Sequence, residues 1–235
     1  QRSNCYAGNI ILNYYADNLP DSLTLSMETA ADYWESKIHN KIPINISVDF
    51  QELEPEISML CDIYYNETGD NTLCVSSLYK QSSDDVNDYA EDAIIVFNSE
   101  IDWNCSYDGN SVSKGTNMYS SMLRAIAISL GFGTTVADYG NNYLEFQEFS
   151  NKSRFDGLVF ASDGTRLKDL DTNTEELSGF ATGAYGNVYV LKEEPEYKMY
   201  APSVYESSKS LIFLDNENSL MHHEIPLGEK RFHDA

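Results

Sequence analysis

The chain of 235 residues and 26.5 kDa is long enough to enclose a substantial core as one large domain or two small ones, which excludes a peptide-sized fold that depends on staples. Its 15 Lys and Arg stand against 38 Asp and Glu, a formal charge of −23. So acidic a surface repels phosphate backbones and anionic lipid, and no run of about 20 apolar residues is present, so neither nucleic-acid binding nor membrane insertion is expected.

In chain order, the opening Gln1-Arg2-Ser3-Asn4-Cys5 lacks the apolar core of a secretion signal, so the chain reads as already processed. Ile10 to Tyr15 reads as a strand. Leu23, Met27, Ala30, Ala31, Trp34 and Ile38 then recur at steps of three and four, the stripe of an amphipathic helix that starts at Pro20-Asp21-Ser22. Ile44, Ile46, Val48 and Phe50 alternate along the next strand, so the opening is a β-α-β crossover unit. Ala93 to Phe97 is a short apolar run, the pattern of a strand covered on both faces, and a long polar loop over Asn98 to Gly115 follows it. Tyr119, Met122, Leu123, Ile126, Ala127 and Leu130 give a second helix over about Asn117 to Leu130, with an apolar stripe nearly wide enough for full burial. Gly131 ends it, because glycine adopts a left-handed cap at no steric cost.

Beyond Gly131-Phe132-Gly133 the chain becomes irregular and rich in Asn, Asp, Gly and Tyr, with strand-like pieces at Leu158-Val159-Phe160 and Val188 to Leu191. The division this predicts is residues 1–133, with most of the helix, and residues 134–235, built of short strands and loops. The fold class expected is α+β, with a twisted mixed sheet and two main helices in the first part.

Four cysteines, Cys5, Cys61, Cys74 and Cys105, show no CxxC spacing, so zinc-knuckle and thioredoxin chemistry find no support. Cys61 and Cys74 bracket a turn-rich segment, and a disulfide across a hairpin or loop is the favoured reading over free buried thiols. No G-x-S-x-G and no phosphate-cradling glycine motif occurs, and Asp169-Leu170-Asp171-Thr172-Asn173 lacks the calcium-loop pattern, so it reads as a solvated acidic loop.

The segment Asp92 to Thr135 resembles the central part of secreted bacterial zinc metallopeptidases of the metzincin type. The pieces that carry this are DAIIVFNSEIDWN, YDGNS and TNMYSSMLRAIAISLGFGTT. In that family the active-site helix reads H-E-x-x-H-x-x-G-F, and alignment on the ending gives Arg124-Ala125-Ile126-Ala127-Ile128-Ser129-Leu130-Gly131-Phe132. Looser similarity runs from about residue 10 to 228, and it implies that Met221, in Ser219-Leu220-Met221-His222, is the methionine of the turn beneath the metal site. Two imidazoles one helical turn apart reach one zinc, and a Glu between them polarises the metal-bound water. Here Arg124 is a fixed cation without a lone pair, Ile128 coordinates nothing and Ala125 is no base. Gly131 is retained for the turn.

The resemblance therefore implies a pseudo-peptidase, secreted or displayed at the cell surface, with no metal and no other cofactor. Its residual cleft would bind a polypeptide or another surface protein, since clefts of this class take peptides as added strands. Two alternatives stand beside it. One is an active peptidase with a relocated metal site drawn from His222, His223, His233 and carboxylates such as Glu224. Adjacent histidines in an extended segment point to opposite faces, which disfavours joint ligation by His222 and His223. The other is an adhesion module without peptidase ancestry, suggested by the Tyr- and Asn-rich second half.

Overall fold

The computed structural model describes residues 9–82, 90–107, 115–140, 143–146, 151–191 and 193–224. The opening follows the hydropathy pattern. Strand β1 (Ile10–Tyr14) leads to helix α1 (Asp21–Glu35), whose first turn is set by Pro20, and strand β2 (Ile44–Gln51) returns parallel to β1, pairing Ile10 with Ile44 and Tyr14 with Val48.

An edge element that periodicity does not announce comes next. Strand β3 (Met59–Ile63) is followed by a hairpin of β4 (Tyr65–Glu67) and β5 (Thr72–Val75), closed through Asn71 at a φ of 58°, and by the short helix α2 (Ser76–Ser82). Strand β6 (Ala93–Asn98) inserts between β2 and β3, parallel to the first and antiparallel to the second, so the main sheet has the order β1-β2-β6-β3. Asn98 at its end donates to the carbonyls of Leu53, Glu54 and Ile57, which ties the loop after β2 to the sheet.

The polar stretch after β6 carries the small pair β7 (Trp103–Asn104) and β8 (Thr116–Asn117), which delivers the chain to helix α3 (Met118–Ser129). Asn117 caps α3 by accepting from the backbone N–H of Ser120 at 2.9 Å. At the other end Phe132 N–H donates to Ala127 O at 3.0 Å and Gly131 N–H to Ile128 O at 2.8 Å, the two bonds of a Schellman turn with Gly131 at a φ of +96°. The second half comprises β9 (Val136–Asp138) paired with β10 (Leu144–Phe146), β11 (Lys152–Ser153) beside β5, β12 (Val159–Ala161) antiparallel to β13 (Val188–Val190), and helix α4 (Glu175–Ala181) between them.

Two apolar clusters result. One joins α1, the main sheet and Met118, Tyr119, Met122, Leu123, Ala125 and Ile126 of α3; the other gathers Ala127 and Ile128 with the second-half residues Val159, Leu177, Phe180, Met199, Leu211 and Met221. All twelve residues of α3 are buried because the helix lies between both clusters. Trp34 packs against each cluster and donates its indole N–H to Leu123 O at 3.0 Å. The chain is thus a mixed α+β protein with four helices and several small sheets among the described residues.

Cys61 and Cys74 are free thiols in this structure, as is Cys105. The expected hairpin exists, but Cys74 pairs with Asn66 inside it, whereas Cys61 belongs to β3 and lies in register with Ile95 of β6 as a non-hydrogen-bonded pair. Burial raises the thiol pKa of both. Cys5 and His233 lie outside the described residues.

Candidate functional site

Helix α3 carries the three positions where the resemblance would place metal chemistry. Arg124 is only 7% exposed, and its guanidinium carbon lies 4.4 Å from the centroid of the Phe213 ring, a cation–π arrangement with a residue of the second half. Ala125 is fully enclosed in the sheet-side cluster, and Ile128 belongs to the same apolar cluster as Met221. A cation, a methyl and a branched alkyl group supply no electron pair to a metal and no proton acceptor to a water, so these residues do not fit a zinc ion.

Beside this helix runs β3, an edge strand of the main sheet. Ser58 O accepts from Asn98 N–H and Tyr64 N–H donates to Asp92 O, so the even-numbered residues face β6, and the N–H and C=O groups of Met59, Cys61 and Ile63 point away from the sheet. No strand pairs with that outer edge among the described residues. Cys61 marks how near it lies to α3: burial pushes its thiol up to about 12, and the charge of Arg124 pulls in the opposite direction.

A second constellation sits on the turn of residues 214 to 223. Leu214 N–H donates to Met221 O at 2.7 Å and His223 N–H to Leu214 O at 3.2 Å, closing a loop that sets Asp215 beside His222 and His223. One donor atom from each of these three side chains lies within 4.8 Å of the others. The expectation that the two histidines point apart is overturned. His222 N–H bonds back to Ser219 O, so the segment is a turn and not a strand, and the two rings lie 4.1 Å apart on one side. His223 stacks on Tyr200 at 3.8 Å, and its pKa is lowered chiefly by burial and next by His222. Asp215 and His222 line a groove of about 530 Å³ together with Pro195, Glu196, Asn216, Glu217 and Asn218.

Of the residues the sequence pointed to, the structure joins His222 with His223 but leaves Glu224 out: its exposed carboxylate lies toward Lys209, 3.9 Å away. Sequence reasoning missed Asp215 and Phe213. The signal for Asp215 was the turn-forming run Asp215-Asn216-Glu217-Asn218 just before the Met221 segment, which folds the chain back on itself. Comparisons of the chain with known protein families, with curated proteins and with solved structures return no match.

Proposed function

We propose that the protein is a catalytically inactive relative of the secreted zinc metallopeptidases that its central segment resembles, working outside the cytoplasm and binding an extended polypeptide along the outer edge of β3. The observation that carries this reading is the packing of α3: the positions that would hold the metal and the base are Arg124 over Phe213, an enclosed Ala125 and a core Ile128. The β-α-β opening, the mixed sheet, the glycine turn after α3 and the place of Met221 in the cluster of Ile128 support the likeness. The open edge supports the binding mode, because main-chain pairing needs only outward N–H and C=O groups and no metal.

The test uses an unfolded, reduced and alkylated protein as ligand and as substrate. Binding without cleavage is expected, and it should weaken when alternate peptide nitrogens of a bound peptide are methylated or when Met59→Pro removes one outward N–H while leaving the ladder to β6 intact. Chelator-sensitive cleavage that persists in Arg124→Ala would overturn the reading.

A further inference from the structure

We infer that Asp215, His222 and His223 form a binding site for one divalent transition-metal ion of the borderline class, with Zn²⁺ foremost. The inference stands apart from the peptide-binding reading and does not use α3. Two imidazoles and one carboxylate are the donor set that zinc and its neighbours favour, whereas Ca²⁺ and Mg²⁺ take oxygen ligands. Their donor atoms already lie within 4.8 Å of one another. A tetrahedral ion with bonds of about 2.0–2.1 Å needs donors roughly 3.4 Å apart, so closure requires side-chain movements on the order of an ångström.

The surroundings orient the ligands. Nδ1 of His222 lies 2.6 Å from Glu224 O. The Glu224 N–H also approaches this nitrogen, at 3.3 Å, and the shorter contact to the carbonyl oxygen favours the tautomer with the proton on Nδ1 and a free electron pair on Nε2, the usual outer-shell arrangement of a metal-binding histidine. The His223 ring is clamped by its stack on Tyr200, whose hydroxyl is in turn 2.6 Å from Glu206 Oε1. Nδ1 of His223 is buried with no hydrogen-bond partner, an orphaned polar atom inside the cluster. Glu196 and Glu217 on the groove wall add negative charge that concentrates cations there. Lys198 binds Oδ2 of Asp215 at 2.7 Å and is the built-in competitor. Three protein ligands leave a fourth position for water or for a donor from a bound molecule.

The experiment uses the untagged chain, stripped with chelator and dialysed. Zn²⁺ is titrated against a chromophoric chelator, and Co²⁺ is added separately to record its visible d–d bands. One Zn²⁺ per chain is expected, with Co²⁺ bands of nitrogen and oxygen ligation. His222→Ala and His223→Ala should each weaken binding at least about tenfold, since loss of an outer partner alone typically costs about 10–100-fold. Lys198→Gln should tighten it, and exposed His39→Ala should leave it unchanged. Asp215→Asn, a nearly isosteric change on an exposed residue, gives a second reading if a histidine variant misfolds. Zinc binding that survives both histidine changes, equal affinity for Ca²⁺, or no binding at roughly 100 μM Zn²⁺ would each overturn the assignment.

Discussion

At the scale of single residues, two buried carboxylates show opposite strategies. Asp92 is 2% exposed and pairs with the equally hidden Lys80, while Asn45 N–H at 2.7 Å and Ser76 Oγ at 3.0 Å fill its other acceptor sites. Lys80→Met removes the counter-charge and leaves the carboxylate in the interior, so a loss of about 3–5 kcal/mol in urea unfolding is expected. Replacing both partners with apolar residues should cost less than the sum of the single changes; an additive double variant would show that the pair is uncoupled. No ion pair holds Asp156 among the described residues. It accepts from Thr135 N–H, Thr135 Oγ1 and Ser153 N–H, yet burial outweighs these donors and raises its pKa. The folded state therefore holds this proton more tightly than the unfolded one. The associated stability is complete below the ordinary aspartate value of 3.8 and is lost as pH rises through the higher folded value. Relative to Asp156→Asn, the wild type should gain stability as pH falls from about 7 toward 4, and a difference constant over that interval would contradict the assignment.

At the scale of elements, the end of α3 is the most exacting junction. A Cβ at Gly131 would meet Val75 Cγ2 at 3.2 Å, and the backbone there has a φ of +96°. Gly131→Ala is expected to lower the unfolding free energy by about 1–2 kcal/mol, and Gly131→Val by more, read from the shift in denaturation midpoint. This turn was legible because a long apolar stripe stopped at a glycine. α1 and β2 were legible because each has one clean period, and β6 because it is a continuous apolar run. β3 was not: its burial alternates from Met59 to Ile63, but the outward Leu60 is as apolar as its neighbours and Asp62 interrupts the apolar run, so the residue types show neither strict alternation nor a continuous stretch. α4 was hidden by its seven-residue length and internal Gly179, although Thr174 caps it by accepting from Leu177 N–H. The meeting of Asp215 with His222 and His223 had no periodic signal at all, since it depends on the bonds between Leu214, Met221 and His223 that close the turn.

At the scale of the whole molecule, α3 and Trp34 bind the two apolar clusters into one body. Unfolding should therefore be a single transition, with tryptophan emission and far-ultraviolet circular dichroism coinciding; two separated midpoints would mean that the halves melt independently. The charge of −23 adds self-repulsion that salt screens, so the melting temperature should rise between about 10 and 150 mM NaCl. The burial of α3 has a further consequence, for sequence change over time. Arg124→His, Ala125→Glu and Ile128→His would together rewrite the helix as H-E-x-x-H, but each step alone is a loss. The new carboxylate would enter an apolar enclosure, and the Ile128 change would put an imidazole among the aliphatic side chains around Met221. A single histidine or a single carboxylate does not make the two-imidazole site that zinc needs, so the packing works as a ratchet. Whatever its ancestry, the chain is free to acquire new chemistry on its surface turns and loops, while the interior helix is held to structure.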